Sequence, residues 1–541
     1  MAAFIRSGEA MYDKAVNPSR SRLFPYFLLG VILLVSFLSY QAKDLRLDDA
    51  MIYARYVSNA MHHHGFVYNP GQRVNALTSP LFTYLLFALS LLTRNVIFSE
   101  YLLCGVALVF AIVVVAQEVE PLIGTVPTYL TGLIIASTTY FYSVIGMETS
   151  LFLLMLALCY YAFRRSRYML LGVLLALTML TRPEGGLMLP VLFIEHRRLK
   201  RANPNIKAWI APVVILLTYV IFNISYYGHI LPDSAAAKFG QGSSGAWGRW
   251  PTAFLRFYDT IAFMFGWSGQ YYVVVCILIF GAIGCWSLRN SSWGRIYSWF
   301  CIGLALFYIL FNLPAYHWYY GPLFFYGFWF MAAGLMETIQ AKRWRPLVYA
   351  FMAILAISSI AYSSIKLKNK ADSVYIAPYY SIAEWLKSNT APNVSVASAE
   401  IGVIGYYSER PTIDILGLTD PGNAKFIADK DNGSWLSLDK PDYVVMHDPA
   451  WPWEQVVLQN GTYEEVPWRS FRAINSSAAQ NETKTKIFCI LCTLRRSHEP
   501  GYASISELLF STHILMTFHP VHQTIGAETD TNVKLYKRIE Q

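Results

Sequence analysis

Long apolar stretches dominate this chain and restrict what it can fold into. Of its 541 residues, 55% are hydrophobic and 14% are charged, which is normal for a polytopic membrane protein and too apolar for a soluble one. A helix that crosses a bilayer needs roughly 20 apolar residues, because lipid offers the backbone no hydrogen-bond partners. The clearest candidates are residues 24–41, 95–117, 121–143, 147–163, 207–227, 270–287, 296–313, 319–338 and 346–363. Three shorter stretches, 79–93, 168–181 and 185–195, are candidates for short or tilted spans.

Basic residues between the apolar stretches predict the orientation of the chain. Cytoplasmic loops of membrane proteins are enriched in Lys and Arg, so the basic residues before the first stretch (Arg6, Lys14, Arg20 and Arg22) predict a cytoplasmic N-terminus. Later basic clusters begin at Arg164, Arg197, Arg289 and Lys342. The spans place all these clusters in the cytoplasm only if one stretch, most simply 79–93, is short or re-entrant. This leaves about 11 spans. We attribute the net charge of +9 to this topology and expect no nucleic-acid partner.

Beyond residue 364 the composition changes to that of a soluble domain. Residues Ser381–Lys387 have a helical pattern, and Val394–Ala397 and Asp442–Met446 read as strands, which predicts an α/β or α+β layer. We therefore divide the chain into a membrane domain, 1–364, with extracytoplasmic loops at 42–78 and 228–268, and an extracytoplasmic domain, 365–541. Cys489 and Cys492 form a C-x-x-C pair in the latter, where a disulfide or two free thiols is expected rather than a metal site.

Two adjacent carboxylates, Asp48 and Asp49, begin an amphipathic segment directly after the first apolar stretch. One explanation is structural: Asp48 caps the following helix and Asp49 favours its dipole, each contributing about 0.5–1 kcal/mol. The other is catalytic, since paired acids at a membrane surface can act as a general base and its helper. Arg55 follows Asp48 at helical spacing, so an acid and a guanidinium can share one face of the helix.

Further ionisable and aromatic residues fall at the ends of apolar stretches on the same predicted side of the membrane. Ionisable groups at membrane depth are functional candidates. A helix-end salt bridge explains Arg182 and Glu184 equally well, and a belt of interfacial aromatics explains the tyrosines of residues 314–320. Cations at this level suit an anionic headgroup. The candidates are Glu148, Arg182, Glu184, Lys238, His317 and Tyr320.

These residues lie within a series of motifs that resembles the GT-C membrane glycosyltransferases, and most closely the branch that contains the terminal arabinofuranosyltransferases of actinobacterial cell-wall assembly. The resemblance extends from about residue 44 to 450. In the soluble region it includes Gly402–Tyr407 and Asp414–Asp420. In the membrane region it is carried by Asp48–Ala50, Gly65–Gly71, Thr78–Ser79, Gly146–Thr149, Thr181–Gly185, and Tyr226–Pro232 with Lys238.

The resemblance implies a multi-pass protein of the bacterial inner membrane, with a mainly α transmembrane bundle and a C-terminal α/β extracytoplasmic domain. It also implies a polyprenyl-phosphate-linked sugar donor, a glycan or glycolipid acceptor outside the membrane, and inversion at the anomeric carbon. By analogy, Asp48 would be the general base, supported by Asp49. The other candidates, including Arg55, would bind the donor. A divalent cation between Asp48 and the phosphate is compatible with these residues but is not required by them.

Two other functions are also compatible with charged groups at membrane depth. A transporter or flippase for a lipid-linked saccharide would place such groups along its pathway, but it predicts two related halves with interrupted helices. The chain shows no such internal symmetry. A non-catalytic assembly protein would use the acids only as helix caps.

Overall fold

The computed structural model describes residues 21–467 and 532–539, apart from residues 46, 203–204, 246, 249, 252–253, 255–270, 340–341 and 372–376. Cys489, Cys492 and the basic residues Arg6, Lys14 and Arg20 lie outside the described part of the chain, as does most of the second half of the predicted loop 228–268.

The membrane domain is built from helices that follow the predicted apolar stretches closely. Its described helices are α1 Phe24–Gln41, α2 Asp48–Met61, α3 Pro80–Thr93, α4 Val96–Ile123, α5 Thr125–Ser137, α6 Thr139–Ser143, α7 Thr149–Arg164, α8 Tyr168–Thr181, α9 Met188–Arg198, α10 Ile210–Tyr227, α11 Asp233–Ser244, α12 Tyr271–Ser287, α13 Ser292–Leu310, α14 Gly321–Thr338 and α15 Arg345–Ala371.

Five of the described helical segments are long and apolar enough to cross a membrane. They are Phe24–Gln41, Val96–Ile123, Ile206–Tyr227, Ser292–Leu310 and Arg345–Lys368. The predicted short stretch 79–93 forms α3, whose 14 residues reach about 21 Å, less than the roughly 30 Å hydrocarbon core of a bilayer. The total of about 11 spans stays a prediction.

Two stretches differ from their predicted bounds. α4 passes through Pro121 and continues to Ile123, where Gly124 ends it with a φ of 94°, a value that favours glycine. The stretch 121–143 is therefore divided between α4, α5 and α6. α15 extends to Ala371, seven residues beyond the predicted domain boundary at 364, and that division of the chain stays a prediction.

The C-terminal region contains a five-stranded mixed sheet with the strand order β2-β1-β3-β5-β4. β1 pairs in parallel with both β2 and β3, whereas β5 runs antiparallel to β3 and β4. Five helices of this region are described as well. The strands are β1 Val396–Ser398, β2 Thr412–Asp414, β3 Tyr443–Asp448, β4 Tyr463–Glu465 and β5 Asn532–Arg538, and the helices are α16 Ala377–Asn389, α17 Gly402–Ser408, α18 Pro421–Asp429, α19 Ser434–Asp439 and α20 Gln455–Asn460. The predicted fold class, a mainly α membrane bundle with a C-terminal α/β domain, is confirmed.

Helix α2 and the loop after it connect the two regions. The Tyr68 hydroxyl donates to the carbonyl of Ile401 at 2.7 Å. The Asn69 amide donates to the carbonyl of Thr412 at 2.8 Å and accepts from its N–H at 3.0 Å. These bonds are buried, so the loop fixes the segment after β1 and the first residue of β2 against the membrane domain.

Candidate active site

Helix α2 presents two different faces, and the adjacent acids lie on different ones. Residues four or seven apart in a helix share a face, whereas neighbours are separated by about 100°. Asp48 and Arg55 both bind backbone groups of the C-terminal domain. Tyr53, one turn after Asp49, instead contacts Glu148 of the membrane domain. The two faces of α2 therefore connect the two domains.

The Asp48 carboxylate is held by the C-terminal domain. Oδ2 accepts from the Gly402 N–H at 2.8 Å, and Oδ1 accepts from the Val403 N–H at 2.7 Å. The Glu400 carboxyl is also hydrogen-bonded to Asp48. Burial raises the pKa of Asp48, and the two N–H bonds only partly oppose that rise. The expectation that Asp48 caps its own helix is wrong, because Leu47 is the N-cap residue and no side-chain cap bond forms there.

The prediction that Arg55 binds the donor phosphate is also corrected. The Arg55 side chain is 5% exposed, and its guanidinium donates to three backbone carbonyls, those of Tyr68, Gly405 and Arg410. Because all three guanidinium nitrogens are engaged by carbonyls, Arg55 fastens the C-terminal domain to α2. Arg55 is predicted to lie on the same helix face as Asp48, and both side chains do bind backbone groups of the C-terminal domain.

Asp49 lies on the side of α2 where the cation Lys238 is found. Burial raises the pKa of Asp49 to about 6, and the positive charge of Lys238 opposes that rise. Within the part of the chain that the structure describes, the Asp49 side chain forms no hydrogen bond. A carboxylate with a pKa near neutrality and open acceptor sites can take a hydroxyl or a proton from a ligand.

Lys238, on α11, and Arg182, at the end of α8, rest on the same aromatic ring. The ammonium of Lys238 is 5.7 Å from the ring centroid of Tyr319, and the guanidinium carbon of Arg182 is 4.7 Å from it. Lys238 also lies 5.7 Å from the ring centroid of Tyr316. Among the described residues Lys238 forms no ion pair, so its charge is available to an anion.

Arg182 is, in contrast, paired with two carboxylates. It contacts Glu148 at 3.1 Å and Glu184 at 2.6 Å, and all three side chains are at least nine-tenths buried. The Tyr308 hydroxyl accepts from Arg182 at 3.1 Å and donates to Glu184. Breaking a buried ion pair leaves an uncompensated charge. Arg182 therefore holds Glu148, at the start of α7, and Glu184, after the end of α8, in place. It can do so in addition to any contact with a ligand.

A tyrosine joins this ion-pair cluster to α2. The Tyr53 hydroxyl donates to Oε2 of Glu148 at 3.1 Å and shares a hydrogen bond of 2.6 Å with the hydroxyl of Thr78. Gly146 makes the close approach feasible, because a Cβ at this position would lie 2.7 Å from the Cβ of Ala50. Asp49, Glu148 and the two cations consequently lie around one region of the molecule.

His317 and Tyr320 are buried in the chain segment that also carries Tyr316 and Tyr319. The carbonyl of His317 accepts from the Tyr140 hydroxyl at 2.8 Å. The Tyr320 hydroxyl donates to the carbonyl of Phe254 at 2.5 Å, and the two rings stack with centroids 4.6 Å apart. The substrate-binding roles of Tyr320 and His317 stay predictions.

Sequence reasoning missed Glu400, Tyr53, Tyr308 and Tyr319. Glu400 lies two residues before the Gly402–Tyr407 motif, so a carboxylate close to a glycine-containing motif was the available signal. The tyrosines gave no distinct signal, because interfacial aromatics are common in membrane proteins. Among the described residues, no three or more His, Cys, Asp and Glu side chains are grouped so that they could hold a metal ion, and the divalent cation stays a prediction.

Comparison with known proteins supports the resemblance. Residues 369–502 match a family model described as a domain of unknown function (DUF8728). A terminal beta-(1->2)-arabinofuranosyltransferase from Mycobacterium tuberculosis (strain ATCC 25618 / H37Rv) is 28% identical over 232 residues, which are 37% of this chain and 36% of that protein. The chain thus aligns with about a third of the length of this relative.

Two crystal structures of ArnT from Cupriavidus metallidurans share the fold over most of both chains. The apo form gives a TM-score of 0.54 at 12% identity, covering 81% of this chain and 95% of ArnT. The form bound to undecaprenyl phosphate gives a TM-score of 0.51 at 13% identity, covering 83% of this chain and 96% of ArnT. The chain therefore has the GT-C fold, and its resemblance to the arabinofuranosyltransferase branch of these proteins is confirmed.

Proposed function

We propose that this protein is a membrane glycosyltransferase that moves a sugar from a polyprenyl-phosphate-linked donor to an extracytoplasmic glycan or glycolipid. The observation that carries the proposal is the arrangement around α2. Its two acids lie between a domain that holds Asp48 through backbone N–H groups and a membrane domain that supplies Lys238 and Arg182. The undecaprenyl phosphate bound by ArnT supports a donor of the same chemistry.

The acid pair suits the two substrates of such a transfer. A sugar hydroxyl is a weak nucleophile, and a carboxylate that takes its proton contributes typically 10²–10⁴ in rate. We assign this task to Asp48, because it lies on the side of α2 that faces the extracytoplasmic domain, from which a glycan acceptor would approach. Asp49 faces Lys238 and is assigned to the donor sugar, with Glu148 as a second acidic contact.

The reaction balances without a further reactant. The acceptor oxygen forms a bond to the anomeric carbon of the donor sugar, and the bond between that carbon and the phosphate oxygen breaks. The electron pair of the broken bond leaves on the phosphate, and the hydroxyl proton passes to Asp48. A phosphate is a stable leaving anion, so fixed cations beside it lower the barrier without a general acid. Inversion of the anomeric carbon follows from a single displacement.

Lys238 is the principal phosphate contact in this proposal. Its ammonium has no ion pair within the described residues, whereas Arg182 already has two carboxylate partners. Arg182 therefore acts chiefly by holding Glu148 and Glu184 and by sharing the Tyr319 ring with Lys238.

We further propose that the site faces the outside of the bacterial inner membrane and that the N-terminus is cytoplasmic. The basic residues Arg164 and Arg165 pair with Glu118 near the end of α4, whereas Glu100, in the second turn of α4, lies beside Gly146 at the site. One helix thus joins the predicted cytoplasmic cluster to the site, as the positive-inside bias requires.

The donor identifies the function most directly. Deleting the protein from its cell should cause the lipid-linked sugar donor or the unmodified acceptor to accumulate, and mass spectrometry of extracted lipids would identify either. Restoring the wild-type chain should clear the accumulated species, whereas the Asp48→Asn variant at equal abundance should not. Unchanged lipid-linked and cell-envelope glycans in the deleted cell would contradict the proposal.

A further inference from the structure

A buried glutamine lies one helical turn after Lys238 on α11. Gln241 follows Lys238 by three residues, and side chains at this spacing are neighbours on the helix surface, with Cβ atoms about 5–6 Å apart. The Gln241 side chain is 0% exposed. The face of α11 that carries the proposed phosphate contact therefore carries a buried amide as well.

The Gln241 amide has one bonded oxygen and one unused donor. Its Oε1 accepts from the Tyr316 hydroxyl at 3.1 Å, which orients the amide. Its Nε2 has no hydrogen-bond partner among the residues that the structure describes. Buried polar groups are nearly always hydrogen-bonded, and an unpaired one needs an explanation. The two N–H groups of a glutamine amide are thus available to a ligand that enters the site.

Tyr316 connects this amide to the Lys238 ammonium. The Tyr316 hydroxyl binds Gln241, and the centroid of the same ring lies 5.7 Å from Nζ of Lys238. The ring is held in turn by Trp318, which stacks on it with centroids 4.7 Å apart. A cation and a neutral N–H donor consequently lie beside one aromatic ring, where a single ligand group can contact both.

Close packing holds α11 in place on two sides. The Asn312 amide donates to the carbonyl of Gly242 at 2.9 Å, and a Cβ at Gly242 would lie only 2.5 Å from the backbone oxygen of Asn312. A Cβ at Gly240 would lie 3.1 Å from the Cβ of Ala428 in α18 of the C-terminal domain. A helix that packs this closely on both domains keeps its polar side chains in fixed positions, as a binding site requires.

We propose that Gln241 is a substrate-binding residue whose amide N–H donates to the donor phosphate beside Lys238. The inference deepens the function proposed above and rests on it for the presence of a phosphate-linked donor. The phosphate of such a donor has two non-bridging oxygens that share one negative charge. An ammonium that contacts one oxygen leaves the other to a second donor, and a hydrogen bond to an ionised acceptor is stronger than a neutral one.

The first test measures the Kd of undecaprenyl phosphate for purified full-length Gln241→Met and Gln241→Glu by native mass spectrometry. Methionine has a similar length but donates no hydrogen bond, so the Kd should rise about 10- to 100-fold, as expected for a bond to a charged group. Glutamate keeps an acceptor for Tyr316 but repels the phosphate, so its Kd should rise at least as much. An unchanged Kd in Gln241→Met would overturn the proposal.

Two controls separate a phosphate contact from damage to the protein. Gln455→Glu, at an exposed position of α20, makes the same chemical change elsewhere and should leave the Kd unchanged. Undecaprenol has the same lipid chain without the phosphate, so wild type and Gln241→Met should bind it equally. Equal losses of undecaprenol and undecaprenyl phosphate binding in Gln241→Met would indicate a disrupted site and contradict the assignment.

The sugar-linked donor distinguishes the phosphate from the sugar as the group that Gln241 binds. Normal binding of undecaprenyl phosphate by both variants, together with a raised KM for the sugar-linked donor, would place the contact on the sugar and refute the phosphate contact. These binding measurements need no sugar transfer. Weakened phosphate binding in Gln241→Met, in a protein that transfers no sugar from any donor, would refute the proposed function and leave the phosphate contact established.

Discussion

At the scale of single residues, Asp48 and Asp49 are neighbours in sequence but contact different parts of the molecule. The roughly 100° between neighbours on a helix turns Asp48 toward the N–H groups of the C-terminal domain and Asp49 toward Lys238. A residue pair that a helix cap would explain from sequence alone is thereby shared between two domains.

Lys238 should control donor affinity. Lys238→Ala removes a cation that forms no ion pair with any residue that the structure describes. The Kd for undecaprenyl phosphate, measured by native mass spectrometry or fluorescence, should therefore rise about 10- to 100-fold, as expected for a bond to a charged group. The control is Lys207→Ala, because Lys207 is exposed in the short turn Ile206–Trp209 that precedes α10. This variant should leave the Kd unchanged. Equal affinity of Lys238→Ala and wild type would remove Lys238 from the phosphate site.

Asp49 should make stability depend on pH. Its folded-state pKa of about 6 lies above the value of 3.8 for an unperturbed Asp, so the folded state binds the proton more tightly and stability falls as pH rises from about 4 to about 6. Asp49→Asn removes this dependence. We expect the variant to be more stable than wild type by about 1 kcal/mol at pH 8, after allowance for partial exposure, and not at pH 4. Thermal unfolding in detergent at both pH values measures this, and a larger gain at pH 4 would contradict it.

At the scale of elements, the approach of α2 to α17 determines the site. The Cα of Gly402 packs directly against the backbone of Asp48, and a Cβ there would collide with it. Gly405 is similarly close to Tyr68 and Arg55. Two helices can come this near only where one of them lacks side chains, so the glycines of Gly402–Tyr407 permit the hydrogen bonds to Asp48.

Gly402→Ala should separate these elements. The added methyl group collides with backbone rather than with a movable side chain, so α17 must shift and the N–H bonds to Asp48 must lengthen. Hydrogen exchange of the Gly402 to Ser408 segment should become faster, with sugar transfer reduced about tenfold or more. Gly303→Ala, where a Cβ meets nothing within 4 Å, should change neither quantity. Unaltered protection of the segment in Gly402→Ala would contradict this packing account.

Much of the element pattern could be predicted from sequence because it is local. Helices α1, α3, α7 and α10 follow from runs of apolar residues, and β1 and β3 lie within two residues of their predicted positions. The partners of Asp48 and Arg55 could not be predicted in the same way, because they lie about 350 positions away in the chain. Spacing placed both residues on one face, but only the fold shows that backbone groups of another domain cover it. Glu400 was missed for the same reason.

At the scale of the whole molecule, the contacts between the domains bear on the proposed orientation. The C-terminal domain holds Asp48, so both must lie on one side, and the Glu118 to Arg164 and Arg165 cluster lies at the far end of α4. The predicted orientation places the C-terminal domain and Asp48 outside the membrane and the Glu118 cluster in the cytoplasm.

Cysteine accessibility tests this orientation. In a chain whose Cys489 and Cys492 are replaced by Ser, Leu438→Cys, at a position 65% exposed, should react with a membrane-impermeant maleimide in intact spheroplasts. Arg167→Cys, beside the cluster with Glu118, should react only after permeabilisation. The reverse pattern would invert the proposed topology, and labelling of both positions in sealed cells would indicate that the two groups do not lie on opposite sides.

The most direct test of the central claim is sugar transfer by the purified full-length protein from a panel of undecaprenyl-phosphate-linked pentoses and hexoses, beginning with arabinofuranose, to cell-envelope glycan fragments. We predict transfer from at least one donor, with release of undecaprenyl phosphate. We also predict a loss of about 10²-fold or more in Asp48→Asn, while that variant still binds undecaprenyl phosphate. Transfer that survives Asp48→Asn unaltered would contradict Asp48 as the base. Release of no undecaprenyl phosphate by the wild type from the entire panel would contradict the function itself.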